Sequence, residues 1–156
     1  MRIGFTGHQN LPVGYIAKIT GAIRQELEKE ADLIGLSSLA DGADQIFAQT
    51  VLAVGGSLEV VIPSAGYETT FSKTVLPVYQ RLLTKSARVR ELAFDKPSEE
   101  AFFAAGKHIV ENSDRMIAVW DGEKAGGLGG TADVVQYAQS RGVGVTIIWP
   151  EGATRA

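Results

Sequence analysis

The sequence predicts a three-layer α/β domain, in which a mostly parallel sheet carries helices on both faces. Short β-rich runs alternate with longer helical patterns along the whole chain. Runs rich in Val and Ile that alternate with helices are typical of a parallel sheet covered on both sides. With 156 residues, of which 45% are hydrophobic, the chain has the size of one domain and can bury its own core. We therefore expect a single domain over 1–156.

The spacing of apolar residues predicts the elements of the first half. Three short apolar runs predict strands, over residues 2–6, 33–39 and 58–62. A helix is predicted over 14–30, because Ile19, Ile23 and Leu27 recur at helical spacing. A second helix is predicted over 43–54, since the two glycines that follow it are a helix stop signal.

The second half continues the alternation. Residues 69–85 predict a helix, but Pro77 would kink or restart it. Ser98 is suited to cap a helix that runs to about 112. Strands are predicted over 89–94 (at an edge), 115–120 and 143–149, with a helix over 132–141. The pattern is Rossmann-like, with right-handed crossovers, and such sheets bind ligands beyond the carboxyl ends of their strands, where the strand order switches.

Composition excludes several classes of protein. There is no cysteine, which excludes disulfides and thiolate zinc sites, and two histidines cannot build a His-rich metal cage. We expect no metal and no cofactor. The net charge of −3 disfavours a nucleic-acid or anionic-membrane partner. No apolar run approaches the roughly 20 residues of a membrane helix, and the strand-like start leaves no room for a signal peptide. We expect a soluble, cytoplasmic protein.

The glycine-rich segment 126–131 is the most informative part of the sequence. Glycines such as Gly129 and Gly130 allow close approach of the backbone to a ligand. A glycine-rich turn that opens a helix presents N–H groups at the positive end of the helix dipole. Thr131 adds a hydroxyl that could bond a phosphate oxygen or cap the helix. We expect the amides of 126–131 to face a pocket and bind a phosphate; the alternative is a surface loop ending in a Thr N-cap.

Known nucleotide fingerprints do not match this chain. The Gly-Lys-Ser/Thr ending of a Walker loop is absent, because Gly130 directly precedes Thr131. The first predicted strand ends in Gly7-His8 without the third glycine of the dinucleotide motif. The ATPase and dehydrogenase interpretations are both weakened.

Other candidate ligand residues follow the predicted strands. His8, beside Gly7, is either a turn residue or a contact on the floor of the crevice. Asp41 is either the N-cap of the second helix or an acceptor for ribose hydroxyls. In the first interpretation Asp44 lies in the first turn of the helix, and in the second Gly42 would admit the ligand to the helix N-terminus.

Further candidates come from later strand ends. Ser64 follows the third strand, and Trp120 ends the fifth, where it would either stack on a base or pack in the core. Tyr67 and Phe71 would line the same crevice or pack in the core. A small basic run, Lys85, Arg88 and Arg90, is typical of a solvated face.

Three motifs together resemble the SLOG superfamily. These are Thr6-Gly7-His8, Leu39-Ala40-Asp41-Gly42-Ala43-Asp44 and Gly129-Gly130-Thr131. That group joins the DNA-processing protein A domain with the Lonely Guy phosphoribohydrolases, and the resemblance spans nearly the whole chain. It implies a Rossmann-like domain that binds a nucleotide or nucleotide-derived ligand. Its phosphate would contact Gly129, Gly130 and Thr131, and the ligand would lie beside Gly7, His8, Asp41, Gly42 and Ala43.

The chain departs from the hydrolase pattern of that group. The phosphoribohydrolases carry Pro-Gly-Gly-x-Gly-Thr-x-x-Glu, in which the Glu takes part in cleaving the glycosidic bond. Here Val134 takes the place of that Glu, and Asp133 lies one position early, about 100° around the helix. Their catalytic Arg has no clear counterpart. The relatives that bind single-stranded DNA need a basic groove with stacking aromatic residues, which the net charge disfavours.

Three functions stay open. The first is a sensor or carrier module for a nucleotide-type ligand. The second is a hydrolase of the base–sugar bond of a nucleoside monophosphate, with Asp133 or Asp41 as the acid. The third is a single-strand nucleic-acid binder. Whether the chain is an enzyme is left open. The apolar helix faces exceed what one small sheet requires, which favours a homodimer.

Overall fold

A six-stranded parallel sheet organises the molecule. The computed structural model describes residues 1–124 and 128–154. The strands are β1 Arg2–Gly7, β2 Ile34–Ser37, β3 Ser57–Ile62, β4 Arg88–Glu91, β5 Arg115–Val119 and β6 Val145–Ile148. Every adjacent pair is parallel, in the order β4-β3-β2-β1-β5-β6. The strand order therefore switches between β1 and β5, which is where the ligand rule for such sheets points.

Helices cover both faces of the sheet. Within the described ranges they are α1 Ile16–Glu28, α2 Ala43–Ala53, α3 Leu76–Lys85, α4 Glu99–Glu111 and α5 Thr131–Ser140. Short 3-10 helices cover Val13–Tyr15 and Tyr67–Thr70. Core clusters join α1, α2 and α3 to one face and α4 and α5 to the other. The predicted three-layer α/β architecture is confirmed.

The alternation of side chains along the strands builds the two apolar layers. Ile3 and Phe5 of β1 are buried in one cluster with Ile19 and Ile23 of α1. Met116 of β5 belongs to the cluster on the opposite face, with residues of α4 and α5. Successive residues of a strand point to opposite faces, so each buried strand contributes to both layers.

The main difference from the predicted elements concerns the third helix. It begins at Leu76, with Pro77 in its first turn, rather than at residue 69. A proline in the first turn sacrifices no helical hydrogen bond, whereas an interior proline does. Pro77 therefore lies in the first turn of the helix and does not kink it. Other predicted ends differ from the observed ones by only a few residues.

None of the helices in the described ranges is long and apolar enough for a bilayer crossing.

Candidate functional site

A cavity of about 590 Å³ opens at the carboxyl edge of the sheet. Its walls come from the end of β1, the segments after β1, β2 and β3, the start of α2, the inner side of α4 and the first turn of α5. This volume lies in the range of small-molecule sites. Of the ten residues predicted to bind the ligand, six line it, namely Gly7, His8, Asp41, Gly129, Gly130 and Thr131. The other four, Gly42, Ala43, Ser64 and Trp120, are not part of this lining.

His8 lies at the switch in strand order. Its side chain is only 7% exposed. The imidazole Nε2 accepts a hydrogen bond from the backbone N–H of Asp121 at 3.1 Å and lies 3.2 Å from the Asp121 carboxylate. The ring also meets Trp149 edge to face, with centroids 5.6 Å apart. His8 thus joins the ends of β1 and β5 while lining the cavity.

Gly42 and Ala43 hold the loop after β1 against α2. The Ala43 N–H donates to the His8 carbonyl at 3.1 Å. Gly42 has φ +87°, and a Cβ there would lie 2.3 Å from the Gln9 carbonyl oxygen. The N-cap of α2 is Gly42, without a side-chain capping bond. The alternative that Asp41 caps this helix is therefore wrong, and Asp41 is exposed and borders the cavity.

Asp44 is a buried carboxyl group in the cavity wall, and the sequence interpretation gave it no ligand or catalytic role. It is 7% exposed. Burial raises the pKa of the Asp44 carboxyl to about 7, although bonds from Ser37, Ser38 and Ala40 oppose that rise. The Ala40 N–H donates to it at 3.3 Å. A sequence signal existed, because Asp44 shares its helix face with the buried Phe47 and Val51.

Ser64 and Trp120 bond to nearby backbone. The Ser64 hydroxyl is fully buried and donates to the Ala65 carbonyl at 3.0 Å. The Trp120 indole N–H donates to the Glu123 carbonyl at 2.8 Å. Both side chains have local structural roles at strand ends.

An aromatic group forms one wall of the cavity. Tyr67, Phe71 and Phe102 line it. The Tyr67 ring contacts Phe71 and Phe102 edge to face, with centroid separations of 5.2 and 6.2 Å. Tyr67 and Phe71 were predicted either to line the crevice or to pack in the core, and in the structure they do both.

The glycine-rich turn uses two of its amides internally. Gly126 and Gly127 lie outside the described residues. The Leu128 N–H donates to the Glu99 carboxylate at 3.2 Å, and the Gly129 N–H donates to the Asp133 carboxylate at 2.9 Å. These bonds differ from the expectation that all amides of the segment face a ligand. The carboxylates take the acceptor role that a phosphate was expected to fill.

Three further amides remain at the start of α5. The N–H groups of Gly130, Thr131 and Ala132 have no acceptor among the described residues, and all three residues line the cavity. The N-cap is Gly130, without a side-chain bond, so the alternative that Thr131 caps the helix is wrong. These amides are the unpaired donors that every helix N-terminus leaves.

Gly129 is required by packing rather than by ligand access alone. Its φ is +85°, and a Cβ there would lie 2.8 Å from the Phe103 nitrogen and 2.9 Å from the Glu99 carbonyl oxygen. The turn therefore lies directly on the first turn of α4. This contact fixes the distance between the starts of α4 and α5.

The charged groups of the cavity are mainly acidic. Asp41, Asp44 and Glu99 line it, and its described lining contains no Lys or Arg. An anion would therefore be held by backbone amides and the α5 dipole alone. Carboxylates suit the hydroxyl and amino groups of a ligand, which donate hydrogen bonds. Among the described residues, no group of three His, Asp or Glu side chains could hold a metal ion.

Comparison with solved structures relates the fold to known proteins. DNA processing protein A (DprA) from Streptococcus pneumoniae matches with a TM-score of 0.71 and 19% identity, over 97% of this chain and 51% of that one. DprA from Helicobacter pylori, whose structure concerns single-stranded DNA binding, matches with a TM-score of 0.71 and 18% identity, over 99% of this chain and 68% of that one. The structure of TM1055 matches with a TM-score of 0.60 and 17% identity, over 92% of this chain and 71% of that one.

These matches are structural. No family model matches the chain, and no curated protein matches it in sequence. The chain spans about half the length of the Streptococcus pneumoniae DprA chain. At these identities the likeness establishes the fold.

Proposed function

From the SLOG-type fold of this chain, we propose that it binds a nucleotide or nucleotide-derived small ligand, as a sensor or carrier module. One observation carries the proposal. The amides of Gly130, Thr131 and Ala132, which have no acceptor among the described residues, border a cavity of about 590 Å³ at the carboxyl edge of the sheet. A helix N-terminus with free amides binds phosphate groups well.

The composition of the cavity supports one orientation of the ligand. Its phosphate binds the amides at the start of α5, the only strong anion-binding feature of the described lining. The exposed carboxylate of Asp41 accepts hydrogen bonds from ribose hydroxyls or base amino groups. The aromatic wall of Tyr67, Phe71 and Phe102 provides apolar surface for the base.

Thermal stabilisation by nucleoside monophosphates tests the proposal. A ligand at 100 times its Kd stabilises the folded state by about 2.7 kcal/mol. Gly130 has φ −71° and ψ 177°, which any residue adopts. Gly130→Asp would cap α5 and bring a carboxylate to the amides that the phosphate needs. We expect it to fold and to lose the thermal stabilisation.

Gly144→Asp is the matched control, because it adds the same charge where a Cβ meets no atom within 4 Å. It should keep the full response to nucleoside monophosphates. A Gly130→Asp variant that is stabilised as strongly as the wild type would show that the glycine turn is not the site.

Asp44 favours a second candidate, the phosphoribohydrolase. A general acid works best with a pKa near the working pH, and burial raises the pKa of Asp44 to about 7. The two acids named from the sequence fit less well, because Asp133 is bonded to the Gly129 amide and Asp41 is exposed.

Release of free base from nucleoside monophosphates distinguishes the two candidates. The hydrolase requires base release by the wild type and its loss in Asp44→Asn. Release should be retained in Asp32→Asn, which changes an exposed carboxylate outside the cavity. Stabilisation by the ligand without release of base supports the binding module.

A nucleic-acid partner is the third candidate, and the single-stranded DNA binding named for the Helicobacter pylori protein supports it. It predicts tight binding of oligonucleotides with a steep dependence on salt. Weak binding at low salt would remove it. The absence of Lys and Arg from the described cavity lining argues for the small ligand.

A further inference from the structure

A second cavity, of about 350 Å³, lies near the opposite edge of the sheet. We call it the arginine cleft; its polar lining residues are Arg2, Glu59, Arg88, Arg90, His108 and Asn112. Arg2 and Arg88 begin their strands, and Asn112 caps the C-terminus of α4. The cleft shares no lining residue with the candidate site.

The cleft exists because α4 leaves the edge of the sheet uncovered. α4 packs over β1 and β3, whereas all four residues of β4, beyond β3, are exposed. In the register, Arg88 pairs with Glu59 and Arg90 with Val61. Paired residues of parallel strands point to the same face, and Val61 is buried in the cluster beneath α4. Both arginine side chains therefore project on the α4 face.

The cleft has an excess of positive charge. The Arg2 guanidinium donates two hydrogen bonds to the Glu59 carboxylate, at 3.1 and 2.8 Å. That contact lowers the pKa of Glu59, because the negative charge of its carboxylate is paired with the Arg2 guanidinium. Arg88 and Arg90 have no ion-pair partner within 4.0 Å in the described part of the chain. The lining therefore holds three guanidinium groups and the one carboxylate of Glu59, while the Asp114 carboxylate outside the lining also acts on Arg2 and raises its pKa.

We propose that the arginine cleft binds the phosphate group of a small ligand through Arg88 and Arg90. The two residues are two positions apart on one strand, so their Cα atoms lie about 7 Å apart on the same face. The planar guanidinium group matches the geometry of phosphate oxygens and donates two parallel hydrogen bonds. Asn112 contributes polar lining, and the half-enclosed shape favours a compact anion.

The two histidines allow a test by NMR of the wild-type protein. His8 lines the candidate site and His108 lines the arginine cleft, and the chain has no other histidine. Burial and the charge of Arg90 lower the pKa of His108, while Glu111 opposes them. An anion bound at Arg90 should therefore raise the pKa of His108.

Titrations with inorganic phosphate and with methyl phosphate, at constant ionic strength, distinguish free phosphate from a monoester. Chloride is the control anion. A rise of the His108 pKa with either phosphate, but not with chloride, supports the proposal. No response of His108, or the same response to chloride, would overturn it, as would a response of His8 alone.

Substitution of the two arginines tests the contacts. Both side chains are exposed, so we expect Arg88→Gln/Arg90→Gln to fold. It should bind phosphate about tenfold more weakly or worse, as read from His108. Arg81→Gln/Arg141→Gln makes the same change of charge at exposed positions elsewhere and should bind normally. Equal affinity of the two variants would contradict the proposal, and if the first fails to fold, the wild-type titration decides.

Discussion

Gly42 and Gly55 both have a positive φ but lie in different surroundings. Their φ angles are +87° and +86°. A Cβ on Gly42 would meet the Gln9 backbone at 2.3 Å, whereas a Cβ on Gly55 would meet no atom within 4 Å. Ala at either position is strained by the positive φ, and Ala at position 42 would in addition collide with the Gln9 backbone.

We expect Gly55→Ala to destabilise the fold by about 1 kcal/mol, because L residues are strained at positive φ. Gly42→Ala should cost about 3 kcal/mol or more, since the loop after β1 must also move. Urea unfolding of both variants measures the difference. Equal losses would mean that the Gln9 contact has no energetic importance.

The burial of Asp44 makes a pH-dependent contribution to stability. Its folded-state pKa is about 7, against an ordinary value of 3.8. Between these values the folded state holds a proton that the unfolded chain has lost. Stability therefore falls as the pH rises from about 4 through 7, by on the order of 4 kcal/mol for this group.

Asp44→Asn should remove that part of the pH dependence, because the amide does not ionise. Unfolding free energies measured between pH 4 and pH 8 test this expectation. Asp41→Asn, which changes an exposed carboxylate three residues earlier, should keep the slope of the wild type. A wild-type profile with the same slope as that of Asp44→Asn would contradict the raised pKa.

At the scale of the elements, the start of α4 links stability to the candidate site. The Ser98 hydroxyl accepts a hydrogen bond from the Ala101 N–H at 3.0 Å, as expected for an N-cap. The same first turn carries Glu99, which bonds the Leu128 amide, and Phe102, which lines the cavity. Loosening this turn would change the wall of the cavity.

Ser98→Ala should cost about 1 kcal/mol, because the helix loses its capping acceptor. It should also weaken the response to nucleoside monophosphates. Ser140→Ala is the control, since its exposed hydroxyl bonds a carbonyl at the far end of α5. Thermal unfolding with and without ligand measures both effects, and equal losses of stability in the two variants would argue against the cap.

At the scale of the whole molecule, the three apolar clusters share one sheet. Ile117 belongs to the cluster beneath α1 and α2, and Leu82 to the cluster beneath α3. The sheet between them is continuous from β4 to β6. Three expectations stay predictions, namely a single domain, a homodimer and a cytoplasmic location. Cooperative unfolding tests whether the chain is a single domain.

We expect one cooperative unfolding transition, as is usual for domains of this size. Both tryptophans, Trp120 and Trp149, follow the β5 and β6 edge, whereas far-UV circular dichroism averages over the whole chain. The two signals should have the same urea midpoint. Ile117→Ala and Leu82→Ala should each shift both signals together, and separate midpoints would mean that the two halves of the sheet unfold independently.

The sequence by itself determined the fold class and most elements. Periodicity of apolar residues reflects which side of an element faces the core, and that is a local property of the chain. Ser98 and Pro77 likewise act through the backbone within one turn of their own positions. The glycine turn could be located for the same reason, as the start of a helix after a buried strand.

Tertiary structure decided what those residues contact. The Leu128 amide finds its acceptor far away in sequence, at Glu99, and the Gly129 amide depends on the direction of the Asp133 side chain. The collision that keeps residue 42 a glycine involves Gln9, in another loop. The raised pKa of Asp44 depends on burial, which many elements together create. The convergence of Arg2, Arg88 and Arg90 required the strand order and register. Long-range contacts of this kind leave no periodic trace in a single sequence, because they depend on how separate elements pack.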